Sequence, residues 1–444
     1  MQTSLVPPGP KGHFLLGALP DIRRDELDYL SRIVREYGDV VYVRVVNQPC
    51  YVLSHPRDIE YVLMGNYPNF KKSVFLRESR ALFGEGLLTS DGGFWLRQRR
   101  MLQPAFHHDR IAEYSRVMVE RTERMLATWG DGEVRDVHQD MSSLTLEIIA
   151  QVLFGSTIAS QTEQIGEALR VFFEQFDERF GLYSIPEWVP TPGNLRYRMA
   201  IGRLNKILER VIQYRRLNGH DSKNVLSATL RTHDEDGSGM TERQLRDEMM
   251  TLFFTGHETT ALALSWTWYL LGQHPEIADR VAEEVERVVG DRTPTFDDIP
   301  QMRLVDGVVK ESLRLYPPAY GVVREALNDC EIGGYTIPAG ATLAMFQWTV
   351  HRDARYFERP EDFVPERWTD DFSKSLPKCA YFPFGVGPRV CIGNTFALAE
   401  LPLLVAMIAR RYRFDLLPGH KVLLSPSLTL RPRKGIKVIL KKRS

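Results

Sequence analysis

The chain has 444 residues, with 57 basic and 57 acidic side chains and 43% hydrophobic residues. That balance creates no global field to attract nucleic acid or an acidic substrate, and the apolar content suits a large core rather than a polytopic membrane protein. Four cysteines (Cys50, Cys330, Cys379, Cys391) are too scattered for a disulfide framework and suit a reducing cytoplasm.

A prior of about 150 residues per domain would divide this length into about three. No Gly/Ser linker or low-complexity run interrupts it, so it is read as a single domain, 1–444. Pro7-Pro8-Gly9-Pro10 makes a stiff, extended start. No apolar run approaches the length of a membrane span, and the N-terminus lacks a signal-peptide pattern. The expectation is a soluble, cytoplasmic monomer.

Apolar spacing predicts a first amphipathic helix from Asp25 to Tyr37, ended by Gly38. The β-branched runs Val40 to Val46 and Cys50 to Leu53 flank Asn47-Gln48-Pro49 and predict a hairpin. His55-Pro56 opens another helix through Met64. Residues 65–92 are irregular but apolar, with Phe75, Leu76, Leu82, Phe83 and Leu87 among them. A long apolar loop either packs on the core or covers something.

In Trp95-Leu96-Arg97-Gln98-Arg99, Trp95 and Arg99 share one helical face. Arginine suits a carboxylate, and the indole N–H adds a donor. Helical patterns continue from Arg110 to Leu217, interrupted at 181–193 by an apolar, proline-containing segment. Thr241 and Gln244 form a capping box for a long helix, Glu242 to Leu271, apolar on most faces. Its middle reads Thr255-Gly256-His257-Glu258-Thr259-Thr260, where a glycine and an acid are poor choices for a buried helix. Residues that break a local rule in a core helix often mark function.

A solvated helix follows from Pro275 to Val289. In the helix from Asp306 to Leu315, Glu311 and Arg314 stand at ion-pair spacing, and Pro365-Glu366-Arg367-Trp368 offers a further charge. Ala319 to Val323 predicts a small apolar strand ending in Arg324. Gly333 to Gly340 reads as a hairpin, Thr342 to Trp348 as a strand, and 412–440 as strand-rich.

The stretch Phe384-Gly385-Val386-Gly387-Pro388-Arg389-Val390-Cys391-Ile392-Gly393 places one cysteine in a glycine loop ahead of a helix. Tight backbone and a nearby helix N-terminus favour a thiolate. One soft ligand without partners at zinc spacing argues against zinc and suits haem iron. Arg389 is placed to pair with an anionic group on the same bound object.

Phe384, Gly387, Arg389, Cys391 and Gly393 fill F-x-x-G-x-R-x-C-x-G. With W-x-x-x-R, the Gly256–Thr260 segment and E-x-x-R in correct order, the chain resembles the cytochrome P-450 superfamily, in its soluble bacterial-type members, from about Pro7 to the end. The resemblance implies a mainly α fold with small β-sheets, a triangular prism of helices around a buried haem. It also implies a β-rich lobe, about 38–64 and 319–350, beside a helical remainder. Cys391 is then the iron ligand within a haem b loop that includes Phe384, Gly385 and Gly393. Trp95, Arg99 and Arg324 bind propionates, with Arg389 also on the cofactor, and Glu311, Arg314 and Arg367 form a buried structural triad. Gly256 opens a groove for dioxygen, Thr259 hydrogen-bonds the bound oxygen, and Glu258 relays protons. Thr255 stands where Ala or Gly is usual. The loop residues Phe75, Leu76, Leu82, Phe83 and Leu87, with Phe254, Ala319, Val322 and Val323, line a pocket for a hydrophobic substrate, and 181–193 is a mobile flap.

The implied reaction is monooxygenation of a fatty acid, terpenoid, steroid-like or polyketide molecule with O2. Without a flavin or iron–sulfur segment, electrons come from a separate ferredoxin or flavodoxin and its reductase, hence indirectly from NAD(P)H. Arg97, Arg100, Arg110, Lys374 and Lys378 are candidates for its docking face. Rival readings are a gas-binding haem-thiolate sensor, a member that rearranges or dehydrates oxygenated substrates, and a peroxide-driven member; the Glu258–Thr259 pair disfavours all three.

Overall fold

A computed structural model of the chain describes residues 6–74, 76, 79–155, 165–168, 171, 189–218, 223–235 and 237–443. Helix α1, Glu26–Tyr37, starts where the Asp25 side chain accepts the Asp28 N–H at 3.1 Å. Strands β1 (Val40–Val45) and β2 (Gln48–Leu53) pair antiparallel, with Val45 opposite Gln48. The turn is therefore Val46-Asn47, earlier than the expected Asn47-Gln48-Pro49. A two-residue hairpin turn demands positive φ, and Val46 adopts φ 55°.

Strand β3 (Phe70–Lys72) precedes helices α2 (Gly92–Leu102) and α3 (His108–Leu126). Strand β4 (Val134–Asp136) leads into α4 (Val137–Phe154), and α5 spans Pro192–Leu217. Helix α6, Glu242–Gln273, carries the expected capping box: Gln244 N–H to Thr241 Oγ1 at 3.2 Å, and Thr241 N–H to Gln244 Oε1 at 2.9 Å. Helices α7 (Pro275–Val289) and α8 (Arg303–Leu315) follow. Strand β5 is Val322–Ala326, so Arg324 stands inside the strand rather than at its end, because the ladder with β8 (Thr342–Met345) runs on past it. Between them β6 (Cys330–Ile332) and β7 (Tyr335–Ile337) form a hairpin around Gly333-Gly334. Helix α9 is Asn394–Arg411, then come β9 (Tyr412–Leu416), β10 (Leu424–Pro426), β11 (Leu430–Pro432) and β12 (Lys437–Lys442).

The chain divides into two units. In the first, 1–78 with 307–391, a five-stranded sheet runs β1-β2-β8-β5-β3. Alternating side chains bury both of its faces. Tyr29, Leu30 and Ile33 of α1 cover Val41, Val43 and Val52 on one side. Leu53, Phe70, Leu343, Met345, Cys379 and Phe382 pack together on the other. The second unit, 79–306 with 392–444, is helical, with small sheets β4-β12-β9 and β10-β11. Helix α6 runs through its core: from Asp247 to Trp268 every residue is buried except Thr255, Gly256 and Thr259. The expected flap at 181–193 lies, through residue 188, outside the described residues.

Candidate active site

Around Cys391 the backbone is folded by local bonds. The Cys391 N–H donates to the Phe384 carbonyl at 3.0 Å, and the Val390 N–H to that of Gly387 at 3.0 Å. Gly385 and Gly387 have φ 67° and 75°, and a Cβ on Gly387 would lie 2.2 Å from the Leu63 carbonyl oxygen. Only glycine satisfies both demands. Cys391 is exposed, whereas Cys379 is buried and Cys50 and Cys330 are half-buried. Burial pushes the Cys50 and Cys379 thiols up to about 12 and raises that of Cys330. Those three stay protonated, which leaves Cys391 as the cysteine able to present sulfur to a metal. Among the described residues no group of three or more His, Cys, Asp or Glu could hold a metal ion.

The half-open residues of α6 form a ladder of hydroxyls. Thr259 Oγ1 donates to the Thr255 carbonyl at 2.7 Å and Thr255 Oγ1 to that of Thr251 at 2.8 Å. Gly256 faces α4, where a Cβ would stand 2.9 Å from Ile149 Cδ1; close helix approach is the requirement visible there. Glu258, one residue from Thr259 and so about 100° around the helix, turns away to β11. Its Oε1 accepts from Arg431 Nε at 2.7 Å and Thr429 Oγ1 at 3.3 Å. The neighbouring His257 Nδ1 lies 3.0 Å from Thr145 Oγ1, and burial pulls its imidazole down to about 4, so it is neutral.

Glu311, Arg314 and Arg367 meet as a triad. Arg314 donates from Nη2 and Nε to the two Glu311 oxygens at 2.8 and 2.9 Å, and Arg367 Nε reaches Oε1 at 3.0 Å. Trp368 Nε1 and the Val364 N–H complete the carboxylate's shell. Arg314 also binds the carbonyls of His351, Pro360 and Asp362. His351 in turn accepts the Phe382 N–H on Nε2 at 2.9 Å. Burial first, then Arg314 and Arg352, hold that imidazole well below its ordinary range, so the accepting nitrogen stays unprotonated. The triad thus grips the segment entering the cysteine loop.

Trp95 and Arg99 are brought together, the guanidinium 5.9 Å from the ring centroid. Arg324 is directly opposite Lys72 in the β3–β5 ladder, and both are buried. Like charges in that relation repel, and a carboxylate beside them relieves the repulsion. Arg389 donates to the Phe70 carbonyl at 2.8 Å. Lys72 escaped sequence reasoning because only the register reveals it. The same holds for Arg431, Thr429 and His351.

Of the pocket candidates, Leu82, Phe83, Leu87 and Phe254 are buried, and the Phe83 and Phe254 rings meet edge-on at 4.9 Å. The Leu87 N–H donates to Glu248 Oε2 and the Glu85 N–H to Asp247 Oδ2, both at 2.9 Å, which ties this loop to α6. Leu76, Val322 and Val323 are half-buried and Ala319 is exposed. Phe75 lies outside the described residues. Four docking candidates are ion-paired: Arg97 and Arg100 with Asp234, Arg110 with Glu113, and Lys378 with Glu60. Lys374 is exposed.

The cytochrome P450 family profile matches residues 7–440, and the chain belongs to that family. It is 36% identical over 408 residues to cyclooctat-9-en-7-ol 5-monooxygenase of Streptomyces melanosporofaciens, covering 91% of this chain and 88% of the relative. It is 31% identical over 417 residues to pentalenene oxygenase of Streptomyces avermitilis, covering 91% and 92%. A retinoic acid-bound cyanobacterial CYP120A1 structure superimposes with a TM-score of 0.89 at 26% identity over the full length of both chains. The fold is therefore mainly helical with small sheets, and the protein is a monooxygenase whose family employs haem and dioxygen. The exposed cysteine in its glycine loop and the adjacent Arg324 and Lys72 fit such a cofactor. No helix among the described residues is long and apolar enough to cross a membrane.

Proposed function

We propose that this monooxygenase inserts one oxygen atom of O2 into a cyclic terpenoid. The observation that carries this reading is the interruption of an otherwise buried α6 at Thr255, Gly256 and Thr259, near the buried rings of Phe254 and Phe83. The names of the two streptomycete relatives support the substrate class.

Cys391 would hold the haem iron through Sγ, and Trp95, Arg99, Arg324, Lys72 and Arg389 would hold the propionates by charge-assisted bonds. When bound, the haem supplies dioxygen activation and oxygen transfer. The protein's own part is placement and proton supply. Thr259 Oγ1 offers a hydroxyl at the open stretch, Glu258 relays protons towards it, and Phe83, Phe254, Leu82 and Leu87 exclude water. Electrons come from a separate ferredoxin- or flavodoxin-type donor whose reductase draws on NAD(P)H.

The test is turnover of a cyclic terpene panel with a surrogate ferredoxin and reductase under isotopically heavy dioxygen. One heavy oxygen atom should enter the product. Cys391→Ser should abolish both product and the shifted Soret band of the reduced carbonyl complex, while Cys379→Ser should keep both. Product carrying oxygen from water would overturn the reading.

A further inference from the structure

Glu258 is 4% exposed on α6. A carboxylate that deep is stable only when paired and hydrogen-bonded. Its partners are not on neighbouring helices but on the β10–β11 hairpin. All three donors converge on one oxygen, Oε1: Arg431 Nε and Nη2, each at 2.7 Å, and Thr429 Oγ1 at 3.3 Å. Oε2 takes no part in these bonds, so it is the oxygen left to receive a proton.

The hairpin is not free to carry Arg431 away. Trp266 Nε1, two helical turns beyond Glu258 on α6, donates to the Leu430 carbonyl at 2.9 Å. The register pairs Ser425 with Arg431 and Pro426 with Leu430, and the Arg431 side chain is only 16% exposed. Helix and hairpin are therefore pinned together at both ends of this contact.

The other titratable groups near Glu258 are arranged not to compete. His138 on α4 lies with Nδ1 3.2 Å from Ser265 Oγ. Burial lowers its affinity for protons; the nearby Glu258 raises it and Arg431 lowers it again. His257 is likewise held neutral. Asp136, at the entry to α4, acts on His138 and receives the Ile436 and His138 N–H groups. Arg431 is thus the cation that faces the carboxylate.

We propose that Arg431 is a positioning residue: it clamps Oε1 of Glu258, holds the buried carboxylate in one orientation and leaves Oε2 to handle the proton. Thr429 supports the same oxygen. The proposal rests on the reading of Glu258 as a proton carrier, which the experiment tests separately.

Infrared spectra of Arg431→Met and of Arg431→Met with Glu258→Gln, at neutral pH, read the clamp without turnover. Loss of the guanidinium leaves a desolvated carboxylate, which favours the protonated form. In difference spectra against the parent, which cancel the Glu400 contribution, an additional carboxylic-acid band should therefore appear in the single variant and be missing from the double. Its absence from the single variant would overturn the clamp. Arg431→Lys keeps the charge but loses the fork, so it should show no such band and should recover part of the activity. With the surrogate donor, Arg431→Met should slow product formation on the order of 10²-fold, the lower end for a lost proton carrier. In a Glu258→Gln background it should add nothing. Equal losses in both backgrounds would mean that Arg431 does not act through Glu258, and would also overturn the proposal. Unchanged product formation in Glu258→Gln alone would sink the proton-carrier reading, leaving the infrared result to decide the clamp.

Discussion

A threonine hydroxyl inside a helix has one proton to donate, and α6 uses it on the backbone. Thr259 gives its proton to the Thr255 carbonyl, and Thr255 gives its own to that of Thr251. Such back-bonding is weakly destabilising in a helix, so the half-open Thr259 can exchange it for a better acceptor without large cost. Thr255 occupies the position whose carbonyl Thr259 already uses, and its hydroxyl is aimed one turn further back. The hydroxyl that Thr255 brings to a position where Ala or Gly is usual is thus directed away from that of Thr259. Thr259→Ala should therefore bind substrate and accept electrons nearly as before, while hydrogen peroxide rises at the expense of product. Thr255→Ala should leave that ratio close to the parent's, and the double variant should match Thr259→Ala. Peroxide yield per reduced cofactor consumed measures all three. A double variant markedly more uncoupled than Thr259→Ala would show that Thr255 shares the role.

At the scale of elements, the Glu311 carboxylate joins α8 to the later segment 364–368. Two arginines, an indole N–H and a backbone N–H share its two oxygens. Glu311 and Arg314 are both 0% exposed, so the pair is isolated from screening by water. A surface pair at the same spacing would contribute little; here the cost lies in breaking it. Glu311→Ala leaves two guanidinium groups facing an apolar gap, and Arg314→Ala leaves the carboxylate with one arginine and releases three carbonyls. Each should destabilise the fold by about 3–5 kcal/mol, the usual range for removing one partner of a buried pair. Through Arg314, His351 and the Phe382 N–H, the damage reaches the segment before the cysteine loop. The expected outcome is protein recovered largely without haem or in the insoluble fraction, read by the ratio of haem to protein absorbance. Normal haem content in both variants would refute this account.

At the scale of the molecule, what could be read in advance was what is local in sequence. The capping box of α6, the i, i+3 spacing of Glu311 and Arg314 and the glycines before Cys391 each state their geometry within a few residues. Arg431, 173 positions from Glu258, and Lys72, opposite Arg324 through strand register, state nothing until the sheets are assembled. The same is true of Glu400, an unremarked acid in the apolar run of α9. It is 1% exposed, its Oε2 has no hydrogen-bond partner, and burial raises it to about 8 despite a bond with the Thr260 side chain. A carboxyl raised in this way keeps its proton in the folded chain over a range where the unfolded chain has lost it. Its stabilising contribution is complete below the ordinary value of 4.5 and is lost as pH rises towards about 8. Glu400→Gln keeps the shape and removes the titration. The stability of the variant relative to the parent should therefore increase across that window, by at most about 1.4 kcal/mol per pH unit, and level off above it. Urea midpoints from the helical circular dichroism signal at several pH values measure the difference. A constant difference across the window would mean that Glu400 is already ionised, with a counter-charge or water reaching it between α6 and α9.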